Sequence, residues 1–231
     1  FAYAVNDYEL LDAGSALGRG VGPLLIAKDP KLALHLQKKL AREEEPGDRE
    51  KSLKIGIPGK YTTANFLLGL AFPTLQHKVE LLFSDIEQSL LDGTIDLGLI
   101  IHENRFTYQA KGLHKVIDLG DFWEQMTNSP IPLGGIVIKR GLDEQLKLTV
   151  NRLIRESVQF AFAYPKSGLD YIRSYAQEME EEVMYKHIDL YVNRYSEHLG
   201  TEGRRAIQEM FDQAWARQLI PPTDKRLFLT A

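Results

Sequence analysis

The chain has 231 residues, no cysteine and a formal net charge of −4, with 44% hydrophobic and 26% charged residues, which fits an ordinary globular protein of one large or two small domains. The acidic balance gives no basis for nucleic-acid binding, which needs a basic surface, and no run of about 18 apolar residues is present to cross a membrane. Without cysteine there is no disulfide, no thiolate metal site and no cysteine nucleophile, a pattern compatible with a cytosolic enzyme.

Phe1 is not an initiator methionine, and Phe1-Ala2-Tyr3-Ala4-Val5 reads as the inside of an element. A short helix over Phe1 to Tyr8 is expected, with further chain of the first lobe upstream of it. Four glycines crowd Gly14 to Gly22, marking tight turns or close backbone approach before a buried strand, Leu24-Leu25-Ile26-Ala27. A phosphate loop is the competing reading. It lacks the Lys-Ser/Thr of a Walker motif, and its order is glycine then strand, where a dinucleotide fingerprint runs strand, glycine, helix. Residues 31–52 carry Lys38-Lys39, Arg42 and Glu43-Glu44-Glu45 before Pro46-Gly47, and read as a helix followed by a solvated surface insertion.

From Leu53 the pattern is strand, helix, strand. Leu53, Ile55 and Ile57 alternate, Pro58-Gly59-Lys60-Tyr61 turns, and Thr62-Thr63-Ala64-Asn65 opens a helix to about Ala71. Threonines at a helix start have two uses: a hydroxyl caps the orphan amides, or the same amides and hydroxyls hold an anion. A strand over Val79 to Phe83 precedes a helix begun by Ser84 and ended at Gly93. Ile95 to Ile101 is then an apolar strand that runs straight into His102. His114 to Leu119 is a further strand, Asp121 begins a short helix, Ser129 to Gly135 is a stiff linker, and Ile136-Val137-Ile138 is a strand. The remainder is helical: about Leu142 to Ala163, 166–177, Glu180 to His198 closed by Gly200, and a last helix capped by Thr201.

Strands alternating with helices imply an α/β sheet that is at least partly parallel. The expected layout is two lobes: residues 1–28 with 139–231 as a discontinuous large lobe, and 29–138 as a small lobe. Ligands in such layouts sit between lobes.

His102 leads the candidates for chemistry. It follows Ile100-Ile101 at the carboxyl end of a central strand, and imidazole is the side chain best suited to move protons near neutrality. The alternative is a histidine that only pairs with a backbone group at the strand end. Glu103 could orient it, Arg105 could grip a carboxylate or phosphate, and Thr107 and Tyr108 add hydroxyls. No His-x-x-x-His spacing exists to suggest a metal site, and no Gly-x-Ser-x-Gly elbow suggests a hydrolase triad.

Leu17-Gly18-Arg19-Gly20-Val21-Gly22-Pro23, Pro58-Gly59-Lys60-Tyr61-Thr62-Thr63-Ala64 and Ile100-Ile101-His102-Glu103-Asn104-Arg105-Phe106-Thr107-Tyr108, in that order, resemble the 1,4-dihydroxy-6-naphthoate synthase family. Asp118-Leu119-Gly120, Pro132-Leu133-Gly134 and Tyr191-Val192-Asn193 extend the likeness over most of the chain. The resemblance implies a two-lobe, periplasmic-binding-protein-like α/β fold. It implies conversion of cyclic dehypoxanthine futalosine to 1,4-dihydroxy-6-naphthoate and dihydroxyacetone, in the cytoplasm, with no metal or organic cofactor. His102 maps to the family's general base, and Thr62, Thr63 and Ala64 to its substrate-binding helix start. Arg105 and Tyr108 then support the loop. The family's opening strand, its Ser-Pro-x-Pro-Asn-Asp loop and its Lys-x-Ser segment have no counterpart here. Two rivals share the fold: a solute-binding protein without chemistry, and chorismate dehydratase, against which the His-Glu-x-Arg-Phe-Thr-Tyr stretch argues.

Overall fold

The computed structural model describes residues 1–44, 46–102, 104–175 and 180–230. In chain order the elements are β1 (Tyr8–Leu10), β2 (Ala16–Gly18), β3 (Leu24–Ala27), α1 (Pro30–Ala41), α2 (Asp48–Lys51), β4 (Ile55–Ile57), α3 (Thr63–Ala71), β5 (Lys78–Glu80), α4 (Ile86–Leu91), β6 (Leu97–Ile100), α5 (Asn104–Thr107), β7 (His114–Asp118) and α6 (Leu119–Thr127). They continue with β8 (Ile131–Gly134), β9 (Val137–Lys139), α7 (Glu144–Ala163), α8 (Leu169–Tyr175), α9 (Glu181–Tyr191), α10 (Arg194–Glu197) and α11 (Gly200–Ala216). None of the described helices is long and apolar enough to cross a membrane.

The chain divides into two compact units, Phe1–Gly18 with Ser129–Ala231, and Arg19–Asn128. These boundaries lie about ten residues from those expected at 28 and 138, for reasons of strand pairing. β3 is an inner strand of the second unit, antiparallel to both β6 and β7. β8 pairs with β2 in the first unit. The segment Ser129 to Gly135 is therefore not a linker. Its Pro132 is accommodated because a two-stranded ribbon has an edge where the missing N–H costs nothing.

In the first unit, β1 pairs with β9 and β2 with β8, both antiparallel. Its main core joins Val5, Leu10 and Leu17 to Tyr195, Leu199, Ala206 and Ile207. Residues 2–7 form successive turns, with Ala4 N donating to Phe1 O and Asp7 N to Ala4 O, rather than the expected helix. The helix expected over Glu180 to His198 breaks after Tyr191. Asn193 takes over as the cap of α10, accepting from Tyr195 N (3.0 Å) while its own N donates to Ser196 Oγ (3.2 Å). Gly200 begins α11 instead of closing the preceding helix, and Thr201 lies inside α11 rather than capping it. The end of the helix expected over 166–177 falls outside the described residues.

The second unit is built on one sheet of order β5-β4-β6-β3-β7. β5 and β6 run parallel to β4, and β3 runs against β6 and β7. The core beneath it gathers Leu24, Ile26, Ile86, Leu90, Ile95, Ile100, Tyr108 and Leu113. A β-carbon on Gly98 would lie 2.7 Å from Ile86 Cγ2 and from Leu90 Cδ1, so this glycine is what lets α4 seat directly on β6. Residues 31–52 are only partly the expected surface insertion. α1 buries Ala33 and Leu36 and packs on β7 and β3, whereas α2 buries none of its residues.

Candidate functional site

The register brings five chain segments to one edge of the second unit's sheet. Leu24, at the start of β3, pairs with Ile100 at the end of β6 and with Asp118 at the end of β7. Ile57 at the end of β4 pairs with Glu80 at the end of β5. The loops leaving β4 and β6, adjacent parallel strands, therefore emerge side by side. One carries Thr62, Thr63 and Ala64, and the other carries His102. Carboxyl ends of parallel strands are where α/β folds bind ligands.

The loop after β4 is held firmly. Lys60 N donates to Glu80 Oε2 (2.9 Å), and Asn65 Nδ2 donates to Lys60 O (2.8 Å). Thr62 is the cap of α3. Its Oγ1 accepts from Asn65 N (3.2 Å) and donates to Gly59 O (2.8 Å), so its hydroxyl is committed to the fold. Thr63 is the first residue of α3, half-buried, and its hydroxyl makes no hydrogen bond to a described residue. The Thr63 and Ala64 amides stand at the helix's first two positions, where no intrahelical partner exists. The methyl of Ala64 is buried, so only its backbone can meet a ligand. Two charges belong to this turn: the Glu80 carboxylate that accepts from Lys60 N, and the Lys60 ammonium, which lies 5.5 Å from the centre of the Tyr61 ring.

β6 ends at Ile100, and the chain turns sharply at His102, whose φ of +57° puts a β-carbon-bearing residue in the left-handed region. That conformation costs an L-residue about 1–2 kcal/mol, and such strain clusters at functional sites. The His102 side chain is exposed, and its ring meets Phe83 edge-to-face, centroids 5.3 Å apart. Glu103 lies outside the described residues.

The residues after it explain how the turn is kept. Arg105 does not reach outward for an anion. Its guanidinium donates to Gly22 O and, at 3.1 Å, to Asp118 Oδ2. The other Asp118 oxygen caps α6, accepting from Gly120 N (2.9 Å) and Asp121 N (3.2 Å). Tyr108 is a core residue of this unit. The glycine-rich stretch serves close approach: a β-carbon on Gly22 would lie 2.2 Å from Gly120 Cα. Two anchoring residues were not among the candidates from sequence. Asp118 carries an aspartate-before-helix signature that identifies caps. Glu87, buried on α4, accepts from Asn104 Nδ2 and Lys111 Nζ, and no local pattern marks it. Among the described residues no group of three or more His, Asp or Glu stands ready to hold a metal ion.

A family profile described as menaquinone biosynthesis matches residues 1–216. A 1,4-dihydroxy-6-naphthoate synthase of Thermus thermophilus is 40% identical over 229 residues, 99% of this chain and 78% of that protein. Among solved structures, a protein of Archaeoglobus fulgidus superposes with a TM-score of 0.81 at 33% identity, over 95% of this chain and 78% of its own. The ligand-binding component of an ABC-type import system from Staphylococcus aureus gives 0.65 at 14% identity, covering 99% and 75%, which shows the solute-binding-protein-like fold. The chain belongs to the menaquinone biosynthesis family and is an enzyme of the 1,4-dihydroxy-6-naphthoate synthase kind.

Proposed function

We propose that this chain converts cyclic dehypoxanthine futalosine to 1,4-dihydroxy-6-naphthoate and dihydroxyacetone, with His102 as the general base. The observation that carries the assignment of His102 is its exposure in a left-handed turn at the carboxyl end of a central strand, beside the start of α3. A strained backbone there presents the imidazole at the sheet edge instead of folding it onto the strand.

The substrate's polar or carboxylate end is held by the Thr63 hydroxyl, the Thr63 and Ala64 amides and the positive end of the α3 dipole. Thr62 contributes by keeping that helix start formed. Neutral His102 removes a proton from the substrate. The electron pair so released drives cleavage of the carbon–carbon bond, the fragment that keeps the bonding pair takes up a proton as His102 gives its own back, dihydroxyacetone departs, and aromatisation of the naphthalene ring system makes the step favourable. A positioned base of this kind supplies about 10²–10⁴-fold in rate.

The direct test is to incubate the full-length protein with cyclic dehypoxanthine futalosine and follow naphthoate absorbance together with dihydroxyacetone. Equimolar appearance of both supports the reading. Binding of the substrate without either product sinks it.

A further inference from the structure

We propose that Glu87 is a positioning residue for the reaction, holding the 102–111 loop, and with it His102, in the geometry turnover needs. This rests on the reading of His102 given above. Glu87 is a carboxylate only 2% exposed, on the helix α4 that Gly98 seats against β6. β6 is the strand that delivers His102. Helix and strand thus pack directly on one another, and Glu87 reaches from the helix to the loop beyond the strand.

It grips that loop at two points. Glu87 Oε2 accepts from Asn104 Nδ2, two residues past His102, and from Lys111 Nζ at 2.6 Å. Between these points Arg105 is tied to Gly22 O and Asp118, and Tyr108 is sunk in the core. The second carboxylate oxygen, Oε1, is buried with no hydrogen bond to a described residue. A pair assembled for stability alone is poorly served by a buried charge with one oxygen unsatisfied, and an apolar filling of the same volume is often as stable. What the arrangement does accomplish is to fix a side chain two positions past the strained His102. Small displacements of a catalytic group are costly, with about 1 Å sufficient to lose on the order of 10²-fold in rate.

The test compares Glu87→Gln, Lys111→Met and His102→Ala, with the double variant His102→Ala/Glu87→Gln, in the full-length protein. Glu87→Gln is expected to lower kcat about 10–100-fold while KM stays within about threefold. Lys111→Met, which changes a half-exposed partner and leaves the Asn104 contact, covers the case in which Glu87→Gln folds poorly, and should lower kcat less. The double variant should be no slower than His102→Ala alone, because Glu87 acts through the loop that carries the base. Amide exchange over 104–111 should quicken in Glu87→Gln and Lys111→Met. Unchanged kcat in both variants overturns the proposal, as does a double variant that is slower by the full product of the two effects. If His102→Ala retains turnover, the reading of His102 fails and the Glu87 proposal falls with it; if His102→Ala loses turnover while Glu87→Gln and Lys111→Met leave kcat and loop exchange unaltered, only the Glu87 proposal falls.

Discussion

The Arg105 guanidinium and the Asp118 carboxylate meet at 3.1 Å, joining the turn that carries His102 to the cap of α6. Both side chains are largely shielded from solvent, and the same guanidinium binds Gly22 O. Arg105→Ala leaves an aspartate oxygen and a carbonyl without their donor, and is expected to cost about 2–4 kcal/mol in denaturant unfolding. Arg105→Lys should recover less than half of that, since an ammonium lacks the planar fork that serves two acceptors at once. Equal stability of the two variants would contradict this.

Backbone contact between Gly22 and Gly120 leaves no room for a side chain. A β-carbon at Gly22 would stand 2.2 Å from backbone atoms of Gly120, which cannot rotate away. Gly22→Ala should therefore destabilise by at least about 2–3 kcal/mol through overpacking. Gly69, inside α3 with nothing within 4 Å of its would-be β-carbon, provides the contrast. Gly69→Ala should stabilise by about 0.5–1 kcal/mol through helix propensity. Thermal unfolding of the two variants reads both signs.

Thr62 and Thr63 should separate stability from binding. Thr62→Ala removes the cap that accepts from Asn65 N and is expected to cost about 1 kcal/mol of stability, with Thr62→Ser close to the parent. Thr63→Val keeps the shape but removes the hydroxyl that is not engaged with the fold. It should leave unfolding unchanged and raise KM about three- to tenfold, the worth of one hydrogen bond. A KM effect confined to position 62 would reverse the assignment.

How much of this was legible in the residues depends on how local the cause is. The strand ending at Ile100, the helix start at Thr62 and the cap-like Asp118 all rest on neighbours within a few positions, and periodicity or capping chemistry exposes them. The sheet membership of β3 is not local. Its four residues are buried wherever they pair, so Leu24 to Ala27 read the same in either unit. The pairing of β8 with β2 is likewise hidden, because prolines at 130 and 132 look like a linker until a partner strand arrives from more than a hundred residues away. Glu87 is the strongest case. A glutamate on a short helix reads as solvated, and its partners among the described residues, Asn104 and Lys111, stand 17 and 24 residues further on.

Acid should loosen the first unit through Glu9. Its carboxylate is fully buried among Lys147 Nζ (2.7 Å), Arg226 Nε (3.0 Å) and Arg140 Nη1 (3.2 Å). Burial by itself would raise its pKa; the hydrogen bonds from Lys147 and Arg226 together outweigh that and hold it below the ordinary 4.5. A folded pKa below the unfolded one means the stabilisation is complete above the unfolded value and is lost as pH falls through the folded one. Unfolding midpoints measured from neutral pH down through the carboxylate range should fall on the acid side, and Glu9→Gln should flatten that fall while lowering stability at neutral pH. An acid limb unchanged by Glu9→Gln would show that other carboxylates carry it.

The most direct measurement is turnover of cyclic dehypoxanthine futalosine by His102→Asn in the full-length protein, alongside its affinity for the substrate. Asparagine tolerates the left-handed backbone that His102 adopts, so the turn and the neighbouring helix start should persist, and substrate affinity should stay within about threefold. An amide cannot take the proton, so kcat should fall about 10²–10⁴-fold. A kcat within about tenfold of the parent, below the range expected for losing a general base, would contradict the account.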